Sequence, residues 1–70
     1  MGAKFDNAVL IDANFRGAAL NGAHFNGADL RGADFSTASG LNDAHFHNAH
    51  FSDATRFPEG FTPAGAVKTG

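Results

Sequence analysis

The stretch Ala23-His24-Phe25-Asn26-Gly27-Ala28-Asp29-Leu30-Arg31-Gly32-Ala33-Asp34-Phe35 repeats one short phrase: an alanine, a variable residue, a large apolar residue, and two polar or turn-forming residues. Outward from it, alanine recurs at 3, 8, 13, 18, 23, 28, 33 and 38, then at 44, 49 and 54. Two positions after each of the first seven stands Phe5, Leu10, Phe15, Leu20, Phe25, Leu30 or Phe35; Leu41, Phe46, Phe51 and Phe57 continue the series. The period is therefore five. On an α-helix a step of five advances by about 140° and scatters the apolar residues around the cylinder. On a flat strand an odd spacing sends them to alternate faces. Both failures vanish if the chain turns a corner every five residues and aims each apolar residue at a common axis, which is an all-β solenoid.

The alternation of Phe and Leu from Phe5 to Leu41 gives the number of sides. An even number stacks like on like, and two sides would leave almost no interior. Four sides give a 20-residue coil with columns Phe5/Phe25/Phe46, Leu10/Leu30/Phe51, Phe15/Phe35/Phe57 and Leu20/Leu41/Phe61. About three coils are filled, spanning about 15 Å at the strand spacing of a sheet. Gly17, Gly22, Gly27 and Gly32, with Asn7, Asp12, Asp43, Asn48 and Asp53, occupy the place just before the next alanine. These residue types suit corners, since a type II turn needs positive φ at its third residue. Two units, Ala38-Ser39-Gly40-Leu41 and Ala54-Thr55-Arg56-Phe57, carry one extra residue and are expected to bulge.

Units such as Ala28-Asp29-Leu30-Arg31-Gly32 and Ala33-Asp34-Phe35-Ser36-Thr37, in eleven consecutive copies over residues 3 to 57, resemble the pentapeptide-repeat family. The resemblance implies a right-handed quadrilateral β-helix; four sides agree with the alternation argument, whereas handedness comes from the resemblance alone. Residues 1–57 are read as the β-helix. Residues 58–70, opening with Pro58-Glu59-Gly60-Phe61, are read as a short C-terminal cap with a loose tail from about Ala64. Similar Phe-Pro-Glu-Gly-Phe endings in the family support that cap.

With 70 residues the chain has room for one small domain. Lys and Arg number 5, Asp and Glu 7, and the formal charge is −2, without a basic cluster. Nucleic acid and membrane are therefore not expected as partners. The absence of cysteine closes the disulfide route to stability and fits a reducing compartment. No apolar run long enough for a membrane span or a signal peptide is present, so a cytoplasmic location is expected.

The histidines form the one constellation with chemical potential. Stacking by 20 or 21 residues places Lys4, His24 and His45 in one outward column and Asp6, Asn26 and His47 in a second on the same face. His24, His45 and His47 are thus candidate ligands for weak zinc, copper or nickel binding. No cofactor is expected. Ser36, Ser39 and Ser52 stand in no spacing that suggests a nucleophile with its base, so the chain is not expected to be an enzyme. The resemblance implies a non-catalytic structural or protein-interaction module of unknown specific role. The repeats begin at Ala3, so the first coil is expected to present unpaired backbone groups and the edges of Phe5, Leu10, Phe15 and Leu20, and a protein partner or self-association is expected through this N-terminal coil. An alternative is the DNA mimicry by which acidic family members bind DNA gyrase, disfavoured here by length and charge; weak metal binding is another.

Overall fold

The computed structural model describes residues 2–69. Its basic unit is a tight corner. The amide of Ala8 donates to the carbonyl of Phe5 at 3.0 Å, that of Ala13 to Leu10 at 3.1 Å, and that of Ala28 to Phe25 at 3.0 Å. Each repeat alanine from Ala8 to Ala49 therefore closes a turn on the apolar residue three positions before it. The residue just before the alanine takes positive φ at most corners, 61° at Asn7 and Asp12, 59° at Asn48 and 72° at Gly27, but not at Thr37, nor at Asp43 and Asp53 beside the two insertions. That is the requirement of a type II turn, and Gly and Asn meet it with the least strain.

Between corners one residue per repeat is extended and pairs in parallel with its counterpart one level away. Lys4 bridges to His24 and His24 to His45; Val9 bridges to Asp29 and Asp29 to His50; Asn14 bridges to Asp34 and Asp34 to Arg56; Ala19 bridges to Ser39. The offset grows from 20 to 21 to 22 residues, which locates the two insertions between 39 and 45 and between 50 and 56. Each level donates to the next, as in Phe25 N–H to His45 O at 2.7 Å and Leu30 N–H to His50 O at 2.6 Å. The architecture is a β-helix-type solenoid with no α-helix among the described residues.

Aromatic side chains fill the axis. Phe5, Phe25 and Phe46 stack with centroids 5.0 and 5.1 Å apart, and Phe15, Phe35 and Phe57 stack at 4.7 and 5.4 Å. The two columns meet edge to face, Phe15 against Phe25 at 5.7 Å and Phe25 against Phe35 at 5.6 Å. Offset and T-shaped pairs are the arrangements the ring quadrupole favours. Leu30, with Ala28 and Ala33, is fully buried between them.

Both insertions resolve locally. The first becomes a short 3-10 turn, Leu41–Asp43, entered through Gly40 in the left-handed region at φ 76°. The second changes which residue faces inward. Asp34 pairs with Arg56, so Thr55 takes the place of Ala13 and Ala33, while Ala54 is pushed out and exposed. Thr55 Oγ1 accepts from the amides of Gly32 at 3.1 Å and Ser52 at 3.0 Å and donates to Leu30 O at 2.9 Å. A hydroxyl at that corner thus satisfies backbone groups that the displaced register leaves open.

The C-terminal segment departs from expectation. Phe61 packs on Phe46 and Phe57 at 5.8 and 5.5 Å. The tail expected to be loose from about Ala64 instead holds a strand: β1, His50–Phe51, pairs in parallel with β2, Val67–Lys68. The amide of Asn48 donates to Gly65 O, and the amides of Val67 and Thr69 donate to Ala49 O and Phe51 O. The reason is backbone satisfaction: β1 offers unpaired groups on its far side, and an extended chain supplies them.

Candidate functional site

Outward positions form ordered columns, and side chains extend the backbone ladder along one of them. Asp6 Oδ1 accepts from the Asn26 amide at 3.0 Å, and Asn26 Oδ1 accepts from the His47 amide at 2.9 Å. Outward Asp and Asn are therefore structural here, not freely replaceable polar residues.

The candidate metal residues are distributed as follows. His24 and His45 lie one above the other, their rings stacked at 4.8 Å and 12°. His47 follows in the Asp6–Asn26 column, its ring beside Gly65. Among the described residues no group of three or more His, Cys, Asp or Glu is arranged to hold a metal ion. Imidazole lone pairs lie in the ring plane, so the stacked rings of His24 and His45 direct them side by side, whereas a Zn–N bond of about 2.0–2.1 Å needs them convergent.

Among the described residues, three acids pair with three cations. Arg31 binds Asp29 through two bonds, Nε to Oδ1 at 2.8 Å and Nη2 to Oδ2 at 2.7 Å. That side-chain bond, aided by the Arg31 amide and charge and by nearby His50, holds the Asp29 carboxyl below its ordinary range. Asp34 is lowered as well, first by its hydrogen bonds with Ser36 and then by the charges of Arg16 and Arg56. Arg16 Nε lies 3.9 Å from Asp34, and Lys68 pairs with Asp53. A cleft of about 250 Å³ separates the 3-10 turn from the cap, lined by Leu41, Asn42, Pro58, Glu59 and Phe61.

The strongest unsatisfied feature is the edge formed by residues 3–20. His24, Asp29, Asp34 and Ser39 turn both amide and carbonyl toward this first level. Their counterparts Lys4, Val9, Asn14 and Ala19 turn theirs the other way, and among the described residues the four amides find no acceptor. The side chains tell the same story. Phe5, Leu10 and Phe15 are half-buried, whereas Phe25, Leu30 and Phe35 one level in are 0 % exposed. The sequence points to this edge through the start of the repeats at Ala3.

Comparison with known proteins agrees with the repeat geometry. The family model for pentapeptide repeats matches residues 1–36 in 8 copies. The chain belongs to the pentapeptide-repeat family. Among solved structures, a pentapeptide repeat protein from the Arabidopsis thaliana thylakoid lumen is similar at 35 % identity and a TM-score of 0.78. The match covers 94 % of this chain and 44 % of that one, so the chain spans under half the length of its structural relative. No curated protein sequence is significantly similar. Members of this pentapeptide-repeat family are generally non-catalytic structural or interaction modules.

Proposed function

We propose that the chain is a right-handed, four-sided solenoid of about three coils that serves as a non-catalytic protein-interaction module, engaging its partner through the open edge of residues 3–20. The observation that carries this is the set of four extended residues whose amide and carbonyl groups find no partner among the described residues, surrounding half-exposed Phe5, Leu10 and Phe15. Such an edge is a template for added strands.

A second copy is the partner that fits best. In an antiparallel pair, two opposed residues exchange both hydrogen bonds, and each of the four open residues presents both groups on one side. The chain climbs one strand spacing, about 4.8 Å, in every 20 residues, so Lys4 is lowest and Ala19 highest. A two-fold axis that opposes Lys4 to Ala19 of the second copy, and Val9 to Asn14, cancels the two climbs and aligns all four pairs. It also keeps the two Lys4 charges apart and sets Phe5 on Leu20 and Phe15 on Leu10. A gyrase-directed DNA mimic is not favoured, because Asp29, Asp34 and Asp53 each lie beside a cation.

Sedimentation equilibrium tests the reading. At about 100 µM, where even micromolar contacts are populated, the native chain should be a dimer. A soluble helix fused ahead of Met1 should leave it monomeric, and the same helix after Gly70 should not. A monomeric native chain, or a dimer indifferent to the N-terminal fusion, overturns the edge-on mode.

A further inference from the structure

The sequence holds two Asn-Gly pairs, Asn21-Gly22 and Asn26-Gly27, and both sit at corners with the glycine at φ 70° and 72°. Asn-Gly is the dipeptide most open to attack of the glycine amide nitrogen on the asparagine side chain, since no Cβ shields that nitrogen. The two sites are alike in sequence but differ in what holds them.

At the second site both reacting groups are engaged. The Gly27 amide donates to His47 O at 2.9 Å, and Asn26 Oδ1 accepts from the His47 amide at 2.9 Å. Gly17 and Gly32 are also tied, through Thr37 Oγ1 at 3.0 Å and Thr55 Oγ1 at 3.1 Å. At the first site neither group is engaged: among the described residues the Gly22 amide has no acceptor and Asn21 Oδ1 no donor. The cause is the inserted residue. Gly40 lies over Asn21 so closely that a methyl there would be 2.6 Å from Asn21 Cγ and 2.7 Å from its backbone nitrogen. Asn42 and Asp43 belong to the following 3-10 turn, and neither makes to Gly22 or Asn21 the bonds that His47 makes one corner later.

We infer that Asn21 is a site of spontaneous, position-selective deamidation, and that the product is a substrate for enzymes that methylate isoaspartyl carboxylates. In the step, the Gly22 nitrogen loses its proton to solvent base and bonds to Asn21 Cγ. The Cγ–NH2 bond breaks, and the amide leaves as ammonia after taking up a proton. Water then opens the succinimide at either carbonyl, giving aspartate or isoaspartate. The net reaction consumes one water and releases one ammonia, with no redox partner. Asn21 is exposed, and its carbonyl accepts the Gly2 amide at 3.0 Å. Isoaspartate there lengthens the backbone at the bond joining the first level to the second, and the new carboxylate adds charge beside the open edge.

The test is incubation of the folded chain in mildly alkaline buffer at physiological temperature, followed by peptide mapping that distinguishes the two asparagines. Asn21 should convert faster than Asn26 by about fivefold, the factor corresponding to one net backbone hydrogen bond. In denaturant the two should convert at similar rates, since each precedes glycine. Methyl transfer from S-adenosylmethionine by an isoaspartyl methyltransferase should label the Asn21 peptide of the aged native protein. Equal native rates, a faster Asn26, or a difference that persists in denaturant overturns the inference.

Discussion

Replacing Phe25 by leucine probes the axis where it is most crowded. Phe25 is 0 % exposed and touches four rings, stacked on Phe5 and Phe46 and edge-on to Phe15 and Phe35, all within 5.7 Å. Alanine would cost about 3–5 kcal/mol, as for other buried Phe truncations. A chain of this length carries only about 3.5–10 kcal/mol in total, so that variant risks unfolding outright. Leucine keeps most of the volume and gives up the ring pairs, at about 0.5–1.5 kcal/mol beyond burial for the best of them. Its expected cost is about 1–2 kcal/mol. With an m-value of about 1 kcal/mol/M in urea, the midpoint should fall by about 1–2 M. Phe5→Leu removes a ring that stacks on one side only and is half-exposed, so its shift should be about half as large. Val9→Ala, at a side chain 75 % exposed, should leave the midpoint nearly unchanged. Equal shifts for Phe5→Leu and Phe25→Leu would refute the inward stack.

Further outcomes follow from the same geometry. Asn26→Ala should cost about 1 kcal/mol, the net worth of the bond to the His47 amide, by urea denaturation; no loss would remove the side-chain ladder. Gly27→Ala should destabilise more than Gly22→Ala, because its methyl would collide with Asn7 Oδ1 whereas that of Gly22 meets only Gly2 backbone at 3.5 Å; equal thermal midpoints would contradict this. Deleting residues 64–70 should cost about 3 kcal/mol by removing the three backbone hydrogen bonds to Asn48, Ala49 and Phe51, and an unchanged midpoint would mean that β2 contributes nothing. Asp29 and Asp34 have lowered folded pKa values, so their stabilisation is complete above the ordinary carboxylate value and lost as pH falls through the folded value. Stability should decline below about pH 3.8, and Asp29→Asn should flatten that acid limb; an identical acid profile would deny the Arg31 pairing its effect.

Much of the fold is legible because the apolar code is two-lettered and regular. The Phe/Leu alternation fixes which rings stack, and the Gly and Asn positions fix the corners. The exchange of Ala54 for Thr55 is not legible from that code: an alanine and a threonine differ little in size, and the choice rests on backbone groups that only the displaced register exposes. β2 escapes it too, since Val67 lies 17 residues from its partner His50 and belongs to no repeat. The stacking of His24 over His45 follows from the 21-residue offset. The direction of their lone pairs does not, and on that the metal geometry depends. Outward Asn26 reads as a solvated surface residue until its bond to the next level is seen.

The most direct test of the account is amide hydrogen exchange on the native chain, read residue by residue. The amides of His24, Phe25, Asp29, Leu30, Asp34 and Phe35, each bonded to a neighbouring level, should be the slowest. Those of Lys4, Val9, Asn14 and Ala19 should exchange fast in dilute solution and slow down as concentration rises and the edges pair. Protection lacking this five-residue rhythm would contradict the solenoid, and concentration-independent exchange at the four edge amides would contradict the interaction it is proposed to make.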